Sequence, residues 1–234
     1  MQITKHQLAK GTKFETPYYI IKGNTAGKTV MITAGVHGDE TANVLAAKKL
    51  VDLLQKNVHH IDKGTLIIVP IVNQIAYKRR FRGIPDLNRT FPCKPNVAAR
   101  HPLASELFRL AKQFQPEWYI DLHEARGFSK IDPSVLGQTL LTNPRSEAIP
   151  LVKRIVNHLN RSIAQKSRQF SIRIRHLPGS GRTAAYRLLK SNSITVETST
   201  SMPKAIRVEY QMKILRYLLN ETGLIKDERT SATA

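Results

Sequence analysis

The chain has 234 residues, 41% of them hydrophobic and 23% charged, enough for one large domain with a buried core and a composition that excludes wholesale disorder. No run approaches 18 apolar residues, which excludes a membrane-spanning helix of ordinary length, and the single cysteine, Cys93, excludes an internal disulfide and any multi-cysteine zinc site. Lys and Arg number 37 against 17 Asp and Glu, a formal charge of +20, which predicts attraction to polyanions or anionic substrates and says nothing of the fold.

The N-terminal residues Met1 to Lys5 carry no apolar signal core, and with a lone cysteine this gives the expectation of a cytoplasmic protein. Tyr18 to Lys22 reads as a short strand, followed by a turn at Gly23 to Gly27. Thr29 to Ala34 is an apolar, β-branched run of the buried-strand kind. It stops at Gly35-Val36-His37-Gly38-Asp39-Glu40. A helical pattern runs from Thr41 to Leu54, with Val44, Leu45, Ala47, Leu50, Val51 and Leu54 on one side. Thr65 to Pro70 predicts a second buried strand. The stretch from Ile71 to Arg100 lacks periodicity, and irregular stretches of that length are commonly functional.

An amphipathic helix is predicted over Pro102 to Phe114 and a third strand over Glu117 to Leu122, ending at His123. Ser134 to Leu141 reads as either a strand or an ordered loop. Ile149 to Gln165 reads as a helix, and Phe170 to Arg175 as an edge strand with period-two alternation. A turn at Gly179-Ser180-Gly181 precedes a helix over Thr183 to Lys190. Ser193 to Glu197 is the fourth buried strand, and Pro203 to Leu219 the last helix. One domain is expected over residues 1–222, with a polar, fraying tail over 223–234. Alternating strands and helices predict an α/β domain with a mostly parallel sheet. In such sheets functional groups gather beyond the carboxyl ends of the strands.

His37, Glu40, His123 and Glu197 all fall at such ends. Imidazole nitrogen and carboxylate oxygen are good zinc ligands, and a catalytic zinc commonly takes three protein ligands and leaves a position for water. His37 and Glu40, three apart at a helix entry, make a close pair, and His123 is the natural distant third. Glu197 ends an apolar strand, where a carboxylate needs a reason to be; beside an activated water it can take a proton and pass it on. In Asp86-Leu87-Asn88-Arg89-Thr90-Phe91-Pro92, Arg89 offers a planar fork that matches a carboxylate. As a bland alternative, the segment is a turn with one more exposed cation.

The ordered set His37-Gly38-Asp39-Glu40, Asp86-Leu87-Asn88-Arg89 with Phe91-Pro92, Asp121-Leu122-His123 and Val196-Glu197 resembles the succinylglutamate desuccinylase/aspartoacylase family, a branch of the zinc carboxypeptidase-like fold. The resemblance extends from about Thr16 to Tyr217. It implies a three-layer α/β/α domain around a mixed, mostly parallel sheet. It implies one Zn²⁺ per chain on His37, Glu40 and His123, with Glu197 as general base and then acid. It further implies that Asn88 and Arg89 hold a substrate carboxylate, that Asp86 orients His37, and that an upstream arginine polarises the scissile carbonyl. Among Arg79, Arg80 and Arg82 the Arg80-Phe81 pair favours Arg80. The residues after Glu197 read as one helix and a tail, so the resemblance is to a minimal form without the family's C-terminal β-rich region. Glu124 and Arg126 fall close to the site with no assigned role.

The expected function is therefore zinc-dependent hydrolysis of an amide bond in an N-acyl amino acid or related small carboxylate. The alternatives are a metallocarboxypeptidase or murein-type peptide amidase and, in another class, a basic nucleic-acid-binding protein. Against the last stand an aromatic content of 6% and the lack of a recognised nucleic-acid module; the charge leaves it open. Cys93 reads as an ordinary loop thiol.

Overall fold

The computed structural model describes residues 1–225. The strands are β1 (Gln2–Leu8), β2 (Thr16–Lys22), β3 (Thr25–Thr33), β4 (Lys63–Val69), β5 (Trp118–Ala125), β6 (Thr139–Thr142), β7 (Ser171–Ile174) and β8 (Asn192–Ser199). The helices are α1 (Thr41–Gln55), α2 (Gln74–Arg79), α3 (Pro102–Phe114), α4 (Ala148–Arg161), α5 (Gly181–Leu189) and α6 (Lys204–Glu221). All eight strands form one sheet in the order β1-β2-β4-β3-β5-β8-β6-β7. The centre, β4-β3-β5-β8, is parallel; β1, β2 and the β8–β6 pairing are antiparallel, so the sheet is mixed as expected.

The central strands are buried on both faces because both faces are covered. One core joins Val30, Ile32, Ile120 and Ile194 to α1, α4 and α6. The other joins Met31, Ile67 and Tyr119 to α3 and α5. Alternate residues of one strand thus enter opposite cores, giving the three-layer α/β/α arrangement. The helix starts follow ordinary capping chemistry. Ser180 accepts the N–H of Thr183 and Asn73 that of Ala76, and Pro102 opens α3 after His101, whose ring accepts the N–H of Leu103.

Several boundaries differ from expectation. β1 has no apolar face to announce it; Leu8 alone of its residues is buried, and it exists because it pairs along its whole length with β2. The predicted turn at Gly23 to Gly27 shrinks to two residues, since β3 already begins at Thr25. The aperiodic stretch from Ile71 holds α2 and a short 3-10 turn at Leu87–Arg89. Ser134 to Gln138 is loop, with the strand following it. The first residues of the expected tail are packed, with Leu224 fully buried in the first core; residues 226–234 of that tail lie outside the described residues. No described helix is long and apolar enough to cross a membrane.

Candidate metal centre

β3 delivers the chain to a tight reversal. Gly35 adopts φ 63°, a conformation open to glycine, and its N–H is held by the Asn43 side chain at 3.1 Å. Gly38 sits so close to α2 that a Cβ there would stand 2.0 Å from the Ala76 carbonyl, and its N–H donates to the Phe81 carbonyl at 3.0 Å. The turn bearing His37 is thereby clamped between α1 and the segment after α2.

Glu40 occupies the N-cap of α1 and does not cap it. Its carboxylate turns inward to the imidazoles. The orphan N–H of Ala42 is taken instead by Glu124 Oε2 at 2.8 Å, while Glu124 Oε1 accepts from Arg207 of α6. Glu124, without a role on sequence grounds, is thus the cap that releases Glu40 for other work. The partner lies 82 positions away, so no local capping signal announces it.

β5 and β8 run parallel with His123 opposite Glu197, which places the two side chains on one face as neighbours. Gln211 of α6 braces this strand by donating to the His123 carbonyl at 2.9 Å. His37 Nδ1 lies 2.6 Å from Glu40 Oε1, and His123 Nδ1 lies 2.9 Å from Glu40 Oε2. The ring centroids are 4.9 Å apart. One potential ligand atom from each of the three residues falls within 4.8 Å of the others, and all three residues are buried. The outer nitrogens face other carboxylates: His37 Nε2 is 3.0 Å from Asp86 Oδ1, and His123 Nε2 is 3.0 Å from Asp121 Oδ2. The second contact is close but poorly aligned, so Asp121 Oδ2 has no hydrogen-bond donor among the described residues. Asp121 Oδ1 accepts from Thr33 at 2.7 Å.

The donor set suits a divalent metal. A ligating imidazole presents one nitrogen to the ion and the other to a carboxylate that fixes its orientation, and both histidines are disposed in this way about Glu40. The electrostatics agree. Burial raises the Glu40 carboxyl, but the two imidazoles outweigh it and hold it at about 2. Burial lowers the His37 and His123 imidazoles; Glu40 with Asp86, and Asp121 with Glu40, outweigh it and raise both. Asp86, pushed up by burial, is brought well below the usual carboxylate range by His37 and Arg82. The surroundings favour positive charge here, and a metal cation satisfies the same preference by displacing protons.

Glu197 is treated in the opposite way. Burial pushes its carboxyl up to about 8, with the histidines lowering it and Glu40 and Asp121 raising it further. Its Oε2 is buried and has no hydrogen-bond partner among the described residues. His37, Glu40, His123 and Glu197 line one cavity of about 710 Å³, together with Arg82, Asn88, Arg89 and Arg126.

The expected arginine, Arg80, does not face this cavity. Its guanidinium lies over the Tyr77 ring at 4.1 Å. Arg80 takes a left-handed conformation at the end of α2 (φ 55°), which reverses the chain. Arg82 therefore reaches the cavity, pairing with Asp86 at 3.0 Å and standing 3.6 Å from Glu40. Asn88 lines the cavity, but its amide is engaged: Oδ1 accepts from the Gly181 N–H at 3.1 Å, which turns Nδ2 toward His123. Arg89 makes one side-chain bond among the described residues, to the Asn88 carbonyl at 2.8 Å, and keeps its other donors free of them. Arg182, in the first turn of α5, escaped sequence reasoning. It is a buried cation brought down to about 10 by burial, against the pull of Asp121, and its Nη1 has no hydrogen-bond partner among the described residues. Its only signal was an arginine one step inside a capped glycine turn.

Comparison with known proteins follows the same line. The chain is 33% identical over 115 residues to succinylglutamate desuccinylase from Vibrio cholerae, a stretch covering 46% of this chain and 33% of that protein. It is 32% identical over 101 residues to N-alpha-acetyl-L-2,4-diaminobutyric acid deacetylase from Halomonas elongata, covering 42% and 28%. The matches thus span well under half the length of these curated relatives. The mDAP-bound D,L-carboxypeptidase Csd4 of Helicobacter pylori superposes with a TM-score of 0.71 at 18% identity, covering 85% of this chain and 51% of that one. The ectoine utilization protein EutE (DoeB) of Ruegeria pomeroyi gives 0.71 at 20%, covering 97% and 69%. Similarity at these identities establishes the fold alone. The model of the succinylglutamate desuccinylase/aspartoacylase catalytic domain matches residues 26–200, from the start of β3 past the end of β8. Every strand of the parallel centre and all four of the converging side chains fall inside that match, and the chain belongs to this family.

Proposed function

We propose that the chain is a zinc-dependent hydrolase that cleaves the amide bond of an N-acyl amino acid or a related small carboxylate. The observation that carries this reading is the sharing of one cavity by a buried His-Glu-His cluster and a buried carboxylate with an unpartnered oxygen. His37, Glu40 and His123 would hold the ion. Bound there, zinc supplies Lewis acidity that polarises a carbonyl and acidifies water. Glu197 Oε2 takes the proton of the attacking water as its hydroxyl oxygen adds to the amide carbon. When the C–N bond breaks, the same carboxyl returns that proton to the departing nitrogen. Arg82 stabilises the developing oxyanion, and Arg89 receives the substrate carboxylate, with Asn88 beside it. Asp86 and Asp121 orient the two imidazoles.

A second reading, cleavage of a short peptide, draws support from the cavity itself. About 710 Å³ lies well inside the ~300–1,000 Å³ of sites for drug-sized ligands. The test is a hydrolysis screen of the zinc-loaded protein on N-acyl amino acids and on short and murein-type peptides. Turnover of acyl amino acids supports the first reading and turnover of peptides alone the second. No turnover of any amide by protein that holds stoichiometric zinc overturns both.

A further inference from the structure

The charges of this chain are unevenly spread. Glu40, Asp86, Asp121, Glu124 and Glu197 gather around one cavity at the carboxyl ends of the parallel strands. Five residues back along β8 from Glu197, roughly 16 Å at ~3.3 Å per residue, lies Asn192, and at that end of the strand two further cavities of about 550 and 640 Å³ adjoin. They share Lys94, Pro95, Arg187, Leu188 and Lys190 as a common wall, so they form one trough. It runs between the loop after Pro92, α3, α5 and the entry to α4. Six cations line it: Lys94, Arg109, Lys112, Arg145, Arg187 and Lys190; Glu147 is its one acid. Arg109 is paired with Glu106. The other five reach no carboxylate within salt-bridge distance among the described residues, and no hydrogen bond engages their side chains.

We infer that this trough binds the phosphate backbone of a single-stranded nucleic acid, at a site separate from the hydrolytic cavity and independent of the reading given for it. Three features favour that occupant. The cations follow the walls of a recess, which suits a thin flexible polyanion and not a flat bilayer surface. Phe108 and Tyr186 lie among them, both partly buried, Phe108 against the second core and Tyr186 donating to the Pro144 carbonyl at 2.9 Å, so a base can stack only on the part of each ring left open. Pro92, Pro95 and Leu188 add apolar wall against which sugars and bases can pack. The formal +20 of the whole chain draws any polyanion toward the surface; the trough gives that attraction a place.

The experiment is fluorescence anisotropy with a short labelled oligothymidylate and the full chain. Three exposed cations of the trough are reversed together, Lys94→Glu, Arg145→Glu and Arg187→Glu. A control carries the same charge change elsewhere, at Lys10→Glu, Lys49→Glu and Lys153→Glu. The trough variant is expected to lose at least about tenfold in affinity, and the slope of log K against log salt to flatten by about 2, as three phosphate contacts on a single strand imply. The control should lose much less. Equal losses in the two variants mean attraction to net charge alone and overturn the inference. So does binding to phosphatidylglycerol vesicles with none to the oligonucleotide. Hydrolysis by both variants should match the parent, and a circular-dichroism melt of each identifies one that fails to fold. Should the trough variant unfold, Arg187→Gln alone serves, with a smaller loss in affinity expected and an unchanged affinity overturning the site.

Discussion

Two buried carboxylates face one cavity under opposite conditions. Glu40 receives the Asn43 amide, the Glu124 backbone N–H and both imidazoles, and is held ionised near 2. Glu197, next to His123 across the β5–β8 ladder, has an oxygen with no donor among the described residues and is pushed up to about 8. On the proposed reading the two do different work. A carboxylate saturated with donors and fixed at low pKa stays charged and suits a permanent ligand. One left unsatisfied, with a proton affinity near neutrality, suits proton transfer. Both are glutamates, and it is the partners arranged around each that differ.

The largest expected effect breaks that division directly. Glu197→Gln should lower turnover by about 10²–10⁴-fold and leave zinc content near that of the parent. Glu40→Gln should lose the metal itself, measured by mass spectrometry of the protein after dialysis against zinc. Equal zinc loss in both variants would mean the two carboxylates share one role. Next in size, Asp121→Asn, which keeps the shape but weakens the charge facing His123, should reduce zinc affinity about 10–100-fold. Unchanged affinity by competition with a chelator would remove Asp121 from the site. The arginines give a sharper contrast. Arg82→Ala should lower kcat, since Arg82 lines the cavity, whereas Arg80→Ala, which frees the Tyr77 ring, should leave it within a few-fold. The reverse result would restore Arg80 to the carbonyl.

Much of this arrangement is legible in the amino-acid sequence itself. The runs containing Val30 to Ile32, Leu66 to Ile68 and Ile194 to Val196 read as buried strands because helices cover both sheet faces, so those strands are apolar throughout. His37, Glu40, His123 and Glu197 were legible because each ends or follows such a run. What stayed hidden depended on distant partners or on single torsions. β1 is an edge strand held by β2 and has no core face to display. Glu124 caps a helix from another strand. That Arg82 and not Arg80 lines the cavity rests on one left-handed residue, a conformation that Arg80 gives no compositional hint of adopting.

The smallest effect is in stability, and it separates the two carboxylates without any substrate. Glu197 binds its proton more tightly when folded than the ordinary carboxyl value near 4.5. A group raised in this way favours the fold fully below its unfolded pKa, and that contribution is lost as pH climbs through the folded value. Metal-free protein should therefore lose stability between about pH 4.5 and 8 on account of Glu197. Glu40, lowered to about 2, acts in the other direction: its contribution is present above its unfolded pKa and lost as pH falls toward 2. The two windows barely overlap. Glu197→Gln removes the first while keeping the shape of the side chain. Urea midpoints of the metal-free parent and variant should be close at pH 4.5 and diverge in the variant's favour by pH 8.5, by an amount on the order of 1 kcal/mol or more. Zinc should narrow that gap, since a cation beside Glu197 eases its ionisation. Midpoints that run parallel across the whole range would show that Glu197 meets the same conditions folded and unfolded, and the contrast with Glu40 would be gone.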